Sequence, residues 1–161
     1  MLERLERTIS EVRETLVSDS DIRKLVFHDS NNALSMLAPD PQEVQQYIVT
    51  YPIFDMCETE GYNQNTIIQV ELDTTNAEEG YLDGILRVNI VCNYEKWNLV
   101  GGKIRPMQIA NRVIDLVDGQ KFSCSNALNF YSLVPLLINK KITGYALLFY
   151  IQDGSGEIKN Y

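Results

Sequence analysis

The stretch Ile85-Leu86-Arg87-Val88-Asn89-Ile90-Val91-Cys92-Asn93-Tyr94 decides the fold class, because apolar and polar residues alternate along most of it. Apolar side chains occupy every second position from Leu86 onward, and Arg87, Asn89 and Asn93 lie between them. Successive side chains of a β-strand point to opposite faces of a sheet, so the pattern predicts a strand with one buried and one wet face. A sheet with one wet face is usually antiparallel.

Three further strands and one helix surround this strand in the sequence. Residues 66–72 also alternate, and residues 129–138 and 142–152 are apolar at nearly every position, which predicts central places for the last two. Arg105-Pro106 opens an amphipathic helix that Gly119 ends. We therefore expect an α+β domain with a β-β-α-β-β core, an antiparallel sheet and N-terminal helices packed on one face.

The N-terminal segment, about residues 1–30, is expected to be helical. Its apolar residues recur at intervals of three and four in a narrow seam that includes Leu5, Ile9 and Val12. Two interpretations remain open for this seam. The helix lies on its own domain, as most helices do, or it docks on a neighbouring subunit as a coiled-coil stripe would.

The 161 residues fit one domain, so residues 1–161 are treated as a single unit. The connection over residues 73–84 is acidic and longer than a tight hairpin loop, which indicates a functional or mobile loop. Residues 40–46 carry the signature of a capped helical turn, and Pro52 demotes residues 47–54 to an edge or irregular strand. The C-terminal end, about residues 153–161, is expected to be flexible.

Charge is strongly polarised along the chain, whose formal net charge is −8. Residues 25–86 contain eleven acidic residues and no Lys or Arg, residues 1–24 sum to −1, and residues 87–161 sum to +4. This balance argues against a broad surface that grips nucleic acid phosphates. It suits head-to-tail association between copies, or an acidic surface past which DNA moves without sticking, or simply a soluble protein.

Motifs for catalysis, metals and nucleotide phosphates are missing. Cys57, Cys92 and Cys124 lack the spacing of a zinc site, and the single histidine, His28, has no nucleophile elbow near it. No apolar run is long enough to span a bilayer or to serve as a signal peptide. We therefore expect no enzyme activity, no cofactor, no metal, no membrane partner, and folding in a cytoplasm.

A family resemblance rests on the order of the predicted elements and on their hydrophobic pattern. Three elements together resemble those of the small neck proteins of tailed bacteriophages. They are the strand 87–94 that ends near Trp97, the helix Arg105-Pro106-x-x-Ile109 that ends at Val117-Asp118-Gly119, and the strand pair that ends in 144–150. These are the head–tail connector, tail-completion and tail-terminator proteins. The segment 21–34 is similar to the N-terminal part of such proteins from large phages.

The resemblance implies a structural protein of the virion neck that is assembled in the host cytoplasm. It implies a homo-oligomeric ring, commonly six- or twelve-fold, stacked against neighbouring neck, portal or tail-tube proteins, with double-stranded DNA passing through its lumen. The long loop of the family often reaches a neighbour or the lumen. Candidate contact residues are Leu5, Ile9, Val12, Trp97, Glu71, Asp73, Glu78, Glu79 and Asp83, although Trp97 suits the edge of a core equally well. The alternative is a monomeric cytosolic adaptor or ligand-binding domain with a cleft beside the sheet.

Overall fold

The computed structural model describes residues 2–53, 66–78, 81–124 and 126–154, and it has an α+β fold. Three α-helices and five strands lie in these ranges, together with short 3-10 helices. The helices are α1 (Leu2–Ser18), α2 (Ser20–Phe27) and α3 (Arg105–Val117). The strands are β1 (Ile48–Val49), β2 (Ile67–Glu78), β3 (Tyr81–Asn93), β4 (Asn129–Leu137) and β5 (Ile142–Gly154). No helix in the described part of the chain is both long and apolar enough to cross a membrane.

The strands form one sheet in the order β1-β2-β3-β5-β4. The β-β-α-β-β core is antiparallel, as the alternation of β3 predicts, and the two-residue strand β1 adds a parallel edge that makes the sheet mixed. Pro52 follows this short edge strand, in agreement with the prediction that residues 47–54 form an edge. Strand β5 passes so close to β3 that a Cβ on Gly144 would lie 1.7 Å from the carbonyl oxygen of Ile90, so only glycine fits there.

The helices cover one face of the sheet and bury its largest apolar cluster. Val88 and Ile90 of β3 lie there, and Leu147 and Phe149 of β5 continue the same face. Ile109 lies in this cluster with other α3 residues, as the amphipathic pattern of that helix predicts. A smaller cluster forms near one end of the opposite face, and its buried residues are Val49, Ile53, Ile67, Val91 and Ile142.

Two predictions about the strands are wrong. Residues 73–78 and 81–84 do not form a loop, because β2 and β3 continue as a paired hairpin as far as Glu78 and Tyr81. The Thr-Thr-Asn sequence at 74–76 pairs despite its polarity, since a hairpin arm needs no buried face to complete its backbone hydrogen bonds. Strand β4 does not lie centrally but forms the far edge of the sheet.

The flexible C-terminal end was predicted to begin at about residue 153, but β5 continues to Gly154. Asp153 belongs to β5, is 3% exposed and accepts a hydrogen bond of 2.9 Å from Arg4 of α1. Residues 155–161 lie outside the described residues. The predicted N-terminal helical segment corresponds to α1 and α2, which end at Phe27.

Candidate interaction surface

Strand β4 exposes apolar side chains along the edge of the sheet. It is nine residues long and carries no charged residue, and none of its residues is fully buried. Edge strands in soluble proteins are usually protected by charges, prolines or short length. The exposed large apolar residues of this edge are Tyr131 (39%), Leu133 (37%), Val134 (38%) and Leu137 (80%), with Tyr150 (50%) beside them on β5. We call these five residues the apolar edge.

Two tyrosines of the apolar edge stack on each other. A register shift between Phe130 and Ser132 places Tyr131 in a bulge, and its ring stacks on that of Tyr150 with centroids 4.1 Å apart and planes 21° apart. Partial burial raises the pKa of Tyr131, with smaller contributions from Tyr150 and from the charge of Asp73. Tyrosine is enriched at protein interfaces because it presents a large rigid surface with a polar tip.

Backbone pairing is disfavoured along this edge. Pro135 removes one amide donor from β4, and the bulge at Tyr131 interrupts the regular ladder. A partner that binds here must therefore be held mainly by the side chains of the apolar edge. Sequence reasoning missed this surface. The proline at position 135 was the available signal, because a proline within a strand indicates an edge.

The predicted acidic contact residues are spread over the hairpin β2–β3. Glu71 accepts hydrogen bonds from Asn89 (2.8 Å) and Gln69 (3.2 Å), so its carboxylate is engaged within the sheet. Asp73 is exposed and lies 3.7 Å from Arg87, and Asp83 is half-exposed. Glu78 ends β2, but its side chain lies outside the described residues, and so does Glu79.

The predicted helix contacts lie mostly inside the domain. Leu5 and Val12 are 1% and 0% exposed in the main core, and Ile9 is partly buried against it. The interpretation that α1 lies on its own domain describes this packing, and these side chains are not presented to a partner. Trp97 is half-buried and its ring lies 6.0 Å from that of Tyr145, which suits the edge of a core.

A groove opens beside the sheet at its other edge. It lies between α1 and the stretch of β2 beyond the end of β1, and its volume is about 570 Å³. Ile9, Val49, Val70 and Leu72 give it apolar walls, and Glu71 lies at its side. Arg13, also in the lining, donates from Nε to the carbonyl oxygen of Ile48 (2.6 Å), so it holds the groove wall together.

Two of the cysteines and the histidine considered as candidate catalytic or metal-binding residues have structural environments that account for them. Cys92 and Cys124 are buried, and burial raises the pKa of both thiols, so both are protonated at neutral pH. His28 places Nε2 2.8 Å from the carbonyl oxygen of Leu37. Within the described residues, no group of three or more His, Cys, Asp or Glu side chains is arranged to hold a metal ion. Cys57 lies outside those residues.

Comparison with known protein families gives a match over most of the chain. The family model described as YomW matches residues 19–151, which is most of the chain and includes α2, α3 and nearly all of the sheet. No curated protein matches the sequence.

Proposed function

The chain belongs to the YomW family, a phage-associated family of the Bacillus SPbeta-region type, and from this premise we propose that it is a structural subunit of a phage neck. In this proposal, copies of the chain form a closed ring in the virion, assembled in the host cytoplasm. The ring joins the head or portal to the tail and lets the genome pass. It is a tail terminator or a head–tail connector, and it has no enzyme activity.

The observation that carries this proposal is the apolar edge. Monomeric proteins rarely leave contiguous large apolar residues in water unless the patch binds something. Fully burying an exposed Leu or Val side chain contributes about 1.5–3 kcal/mol. Covering Leu137, which is 80% exposed, contributes most of that amount, and covering Leu133 and Val134, which are 37% and 38% exposed, contributes a smaller share each. The apolar edge combines three exposed aliphatic side chains with two stacked tyrosines, and aromatic residues of this kind are enriched in protein interfaces.

The charge of the molecule is compatible with genome passage. A net charge of −8 repels the phosphate backbone, so DNA moves past a ring of such subunits without tight binding. A protein whose task was to hold DNA would need basic residues over a broad face, and the excess of acidic residues argues against that task.

The first test is the mass of the purified protein in solution. We expect a discrete oligomer whose mass, measured by light scattering and native mass spectrometry over a hundredfold concentration range, corresponds to a closed ring. Electron microscopy of the same sample should show that ring. The double variant Leu133→Thr/Val134→Thr removes apolar surface from the edge and places at both positions the β-branched residue threonine, which is suited to a strand. We expect it to remain folded and to lose the oligomer.

A matched control removes an exposed leucine elsewhere. Leu2 on α1 is 73% exposed, so Leu2→Gln removes a comparable area away from the apolar edge and should leave the oligomer intact. A wild-type protein that stays monomeric at every concentration, and that also fails to join rings in a lysate of phage-producing cells, would refute the proposal.

The groove beside α1 supports a second candidate function. A monomeric cytosolic adaptor would use this cleft of about 570 Å³ to hold an extended peptide or a small molecule. Ser10 is exposed and lines the groove, so Ser10→Trp would fill it. Loss of ligand binding in this variant, together with a monomeric wild-type protein, would favour the adaptor.

A further inference from the structure

The two ends of the long sheet carry opposite charges. The turn between β4 and β5 presents Lys140 and Lys141, flanked by the exposed side chains of Leu137 and Tyr94. We call these four residues the turn end. At the opposite end of the same strands lie Asp73 and Asp83 of the hairpin β2–β3, beside the stacked pair Tyr131 and Tyr150. We call these four residues the hairpin end.

We propose that the turn end of one copy binds the hairpin end of a second copy, in a head-to-tail contact. This inference rests on the proposed function, because it names the contact that joins subunits. The partner is the same chain, and the contact pairs lysines with aspartates and apolar residues with tyrosines.

The turn end is held in a defined shape. Asn139 Oδ1 accepts hydrogen bonds from the backbone amides of Lys141 (2.8 Å) and Ile142 (2.9 Å), and the amide of Tyr94 donates to the carbonyl oxygen of Lys141 (2.9 Å). This network fixes the backbone that carries the two lysines, so less ordering entropy is lost when they bind.

The side-chain ammonium groups of Lys140 and Lys141 have no intramolecular partner among the described residues. Both are exposed, and none of the ion pairs in that part of the chain includes Lys140 or Lys141. Leu137 (80%) and Tyr94 (52%) are also exposed beside them. The turn end therefore combines two cations that have no side-chain partner with exposed apolar surface, which is complementary to a site of acidic and aromatic side chains.

The hairpin end offers the complementary groups. Asp83 takes part in no ion pair among the described residues, and Asp73 has only a long one to Arg87 at 3.7 Å. Asp73 lies close enough to Tyr131 that its charge adds to partial burial in raising the pKa of that tyrosine. A lysine that arrives here meets carboxylates and the faces of two aromatic rings, both of which attract an ammonium group.

The lysines of the turn end cannot reach the aspartates of the hairpin end in the same molecule. Strand β3 pairs Asp83 with Gln152 and Asn93 with Ile142, so ten residues separate the two ends along the sheet. At about 3.3 Å per residue this is about 33 Å, several times the reach of a lysine side chain. A head-to-tail contact between copies is the arrangement in which both ends find their partner, and such contacts close into rings when the rotation between subunits permits.

Charge reversal at each end provides the test. The variant Lys140→Glu/Lys141→Glu is acidic at both ends, and Asp73→Lys/Asp83→Lys is basic at both ends. We expect each variant alone to fold, as judged by circular dichroism, and to raise the dissociation constant between subunits at least tenfold. An equimolar mixture of the two should associate again, since each hairpin end then meets a turn end of opposite charge.

A matched control reverses the charges of two exposed basic residues elsewhere on the molecule. Arg7 and Lys121 are exposed, and neither forms an ion pair among the described residues. The variant Arg7→Glu/Lys121→Glu makes the same change in net charge and should associate like the wild type. Association of the wild type should weaken between low salt and about 0.5 M salt, because exposed ion pairs are screened.

The outcomes separate this inference from the proposed function. If the wild type forms a ring that Leu133→Thr/Val134→Thr abolishes, but the charge variants assemble like the wild type, the head-to-tail contact is wrong and the ring stands. If each charge variant loses assembly and their mixture does not regain it, the pairing of these two ends is wrong. A wild type that stays monomeric, both purified and in a lysate of phage-producing cells, overturns both.

Discussion

At the scale of single residues, Arg105 holds three segments of the chain together. Its guanidinium donates to the carbonyl oxygens of Leu25 (2.6 Å), His28 (2.8 Å), Asp29 (3.2 Å) and Ser30 (2.8 Å), and its Nε donates to Lys96 (2.8 Å). The first of these carbonyls lies near the C-terminus of α2, where a helix leaves acceptors without partners and favours a positive charge. Burial lowers the pKa of Arg105, yet the group stays charged at any physiological pH.

Replacing Arg105 by methionine should destabilise the fold strongly. The side chain is 1% exposed, so its removal takes the donor away from the buried carbonyl group of Leu25 and from four carbonyl groups in partly buried hydrogen bonds, and each unsatisfied buried group costs about 1–3 kcal/mol. We expect the free energy of unfolding of Arg105→Met to fall by about 3–5 kcal/mol in urea titrations. The control Arg7→Met, at an exposed position, should change it by less than about 0.5 kcal/mol. A loss below about 1 kcal/mol for Arg105→Met would show that water replaces the missing donors.

Sequence reasoning found only part of the role of Arg105. The dipeptide Arg105-Pro106 predicts the start of a helix, and α3 does begin at Arg105. The carbonyl partners of α2 and the following turn lie 75–80 positions earlier in the chain, and nothing in a local pattern indicates such contacts. Long-range polar contacts of this kind depend on tertiary packing, which composition and periodicity do not specify.

At the scale of elements, an ion pair joins the start of α2 to α3. Asp19 accepts a hydrogen bond from the backbone amide of Ile22 (2.9 Å) as the N-cap of α2, and it also pairs with Arg112 of α3. Burial alone would raise the pKa of Asp19. The hydrogen bonds from Arg112 and Ile22 outweigh it and hold the pKa below its ordinary value of 3.8.

Because of the ion pair between Asp19 and Arg112, we expect part of the free energy of unfolding to be lost in acid. Because the pKa of Asp19 is lower in the folded state, its contribution is present above about pH 4 and is lost as pH falls through the folded-state pKa. Asn is an equally good N-cap, so Asp19→Asn removes the charge and keeps the cap. We expect this variant to be less stable than the wild type by about 1 kcal/mol at pH 7.

Thermal melting between pH 7 and pH 2.5 checks this prediction. The gap between the melting temperatures of the wild type and Asp19→Asn should narrow below pH 4. The exposed pair Arg112 to Asp115, 3.8 Å apart, offers the control Asp115→Asn, which should leave the pH profile of the wild type unchanged. A gap that stays constant down to pH 2.5 would contradict the lowered pKa of Asp19.

The elements also show which sequence patterns determine structure. The alternation around Leu86 and Val88 predicted β3 correctly, because a period of two with one buried face has few other solutions. The run at 129–138 was misplaced, since apolar residues at nearly every position suit both a central strand and an edge that a partner covers. The polar composition of the stretch 73–84 predicts a loop, but polar hairpin arms have the same composition, and the structure pairs them.

At the scale of the whole molecule, assembly and stability should be linked. If the native fold binds further copies through the apolar edge and the unfolded chain does not, association stabilises the fold by mass action. Each tenfold rise in concentration above the dissociation constant then adds about 1.4 kcal/mol per bound partner. For a chain of this size, 1 kcal/mol shifts the melting temperature by about 2–4 °C.

We therefore expect the melting temperature of the wild type to rise by about 3–6 °C for each tenfold increase in protein concentration. The variant Leu133→Thr/Val134→Thr should melt at the same temperature at every concentration, because its monomers have no partner to gain. Differential scanning fluorimetry over about a hundredfold range of protein concentration measures the melting temperatures of both proteins. Parallel rises in the two proteins would show that association does not depend on this edge. A flat profile for a wild-type protein that is oligomeric at every concentration would contradict this link between assembly and stability.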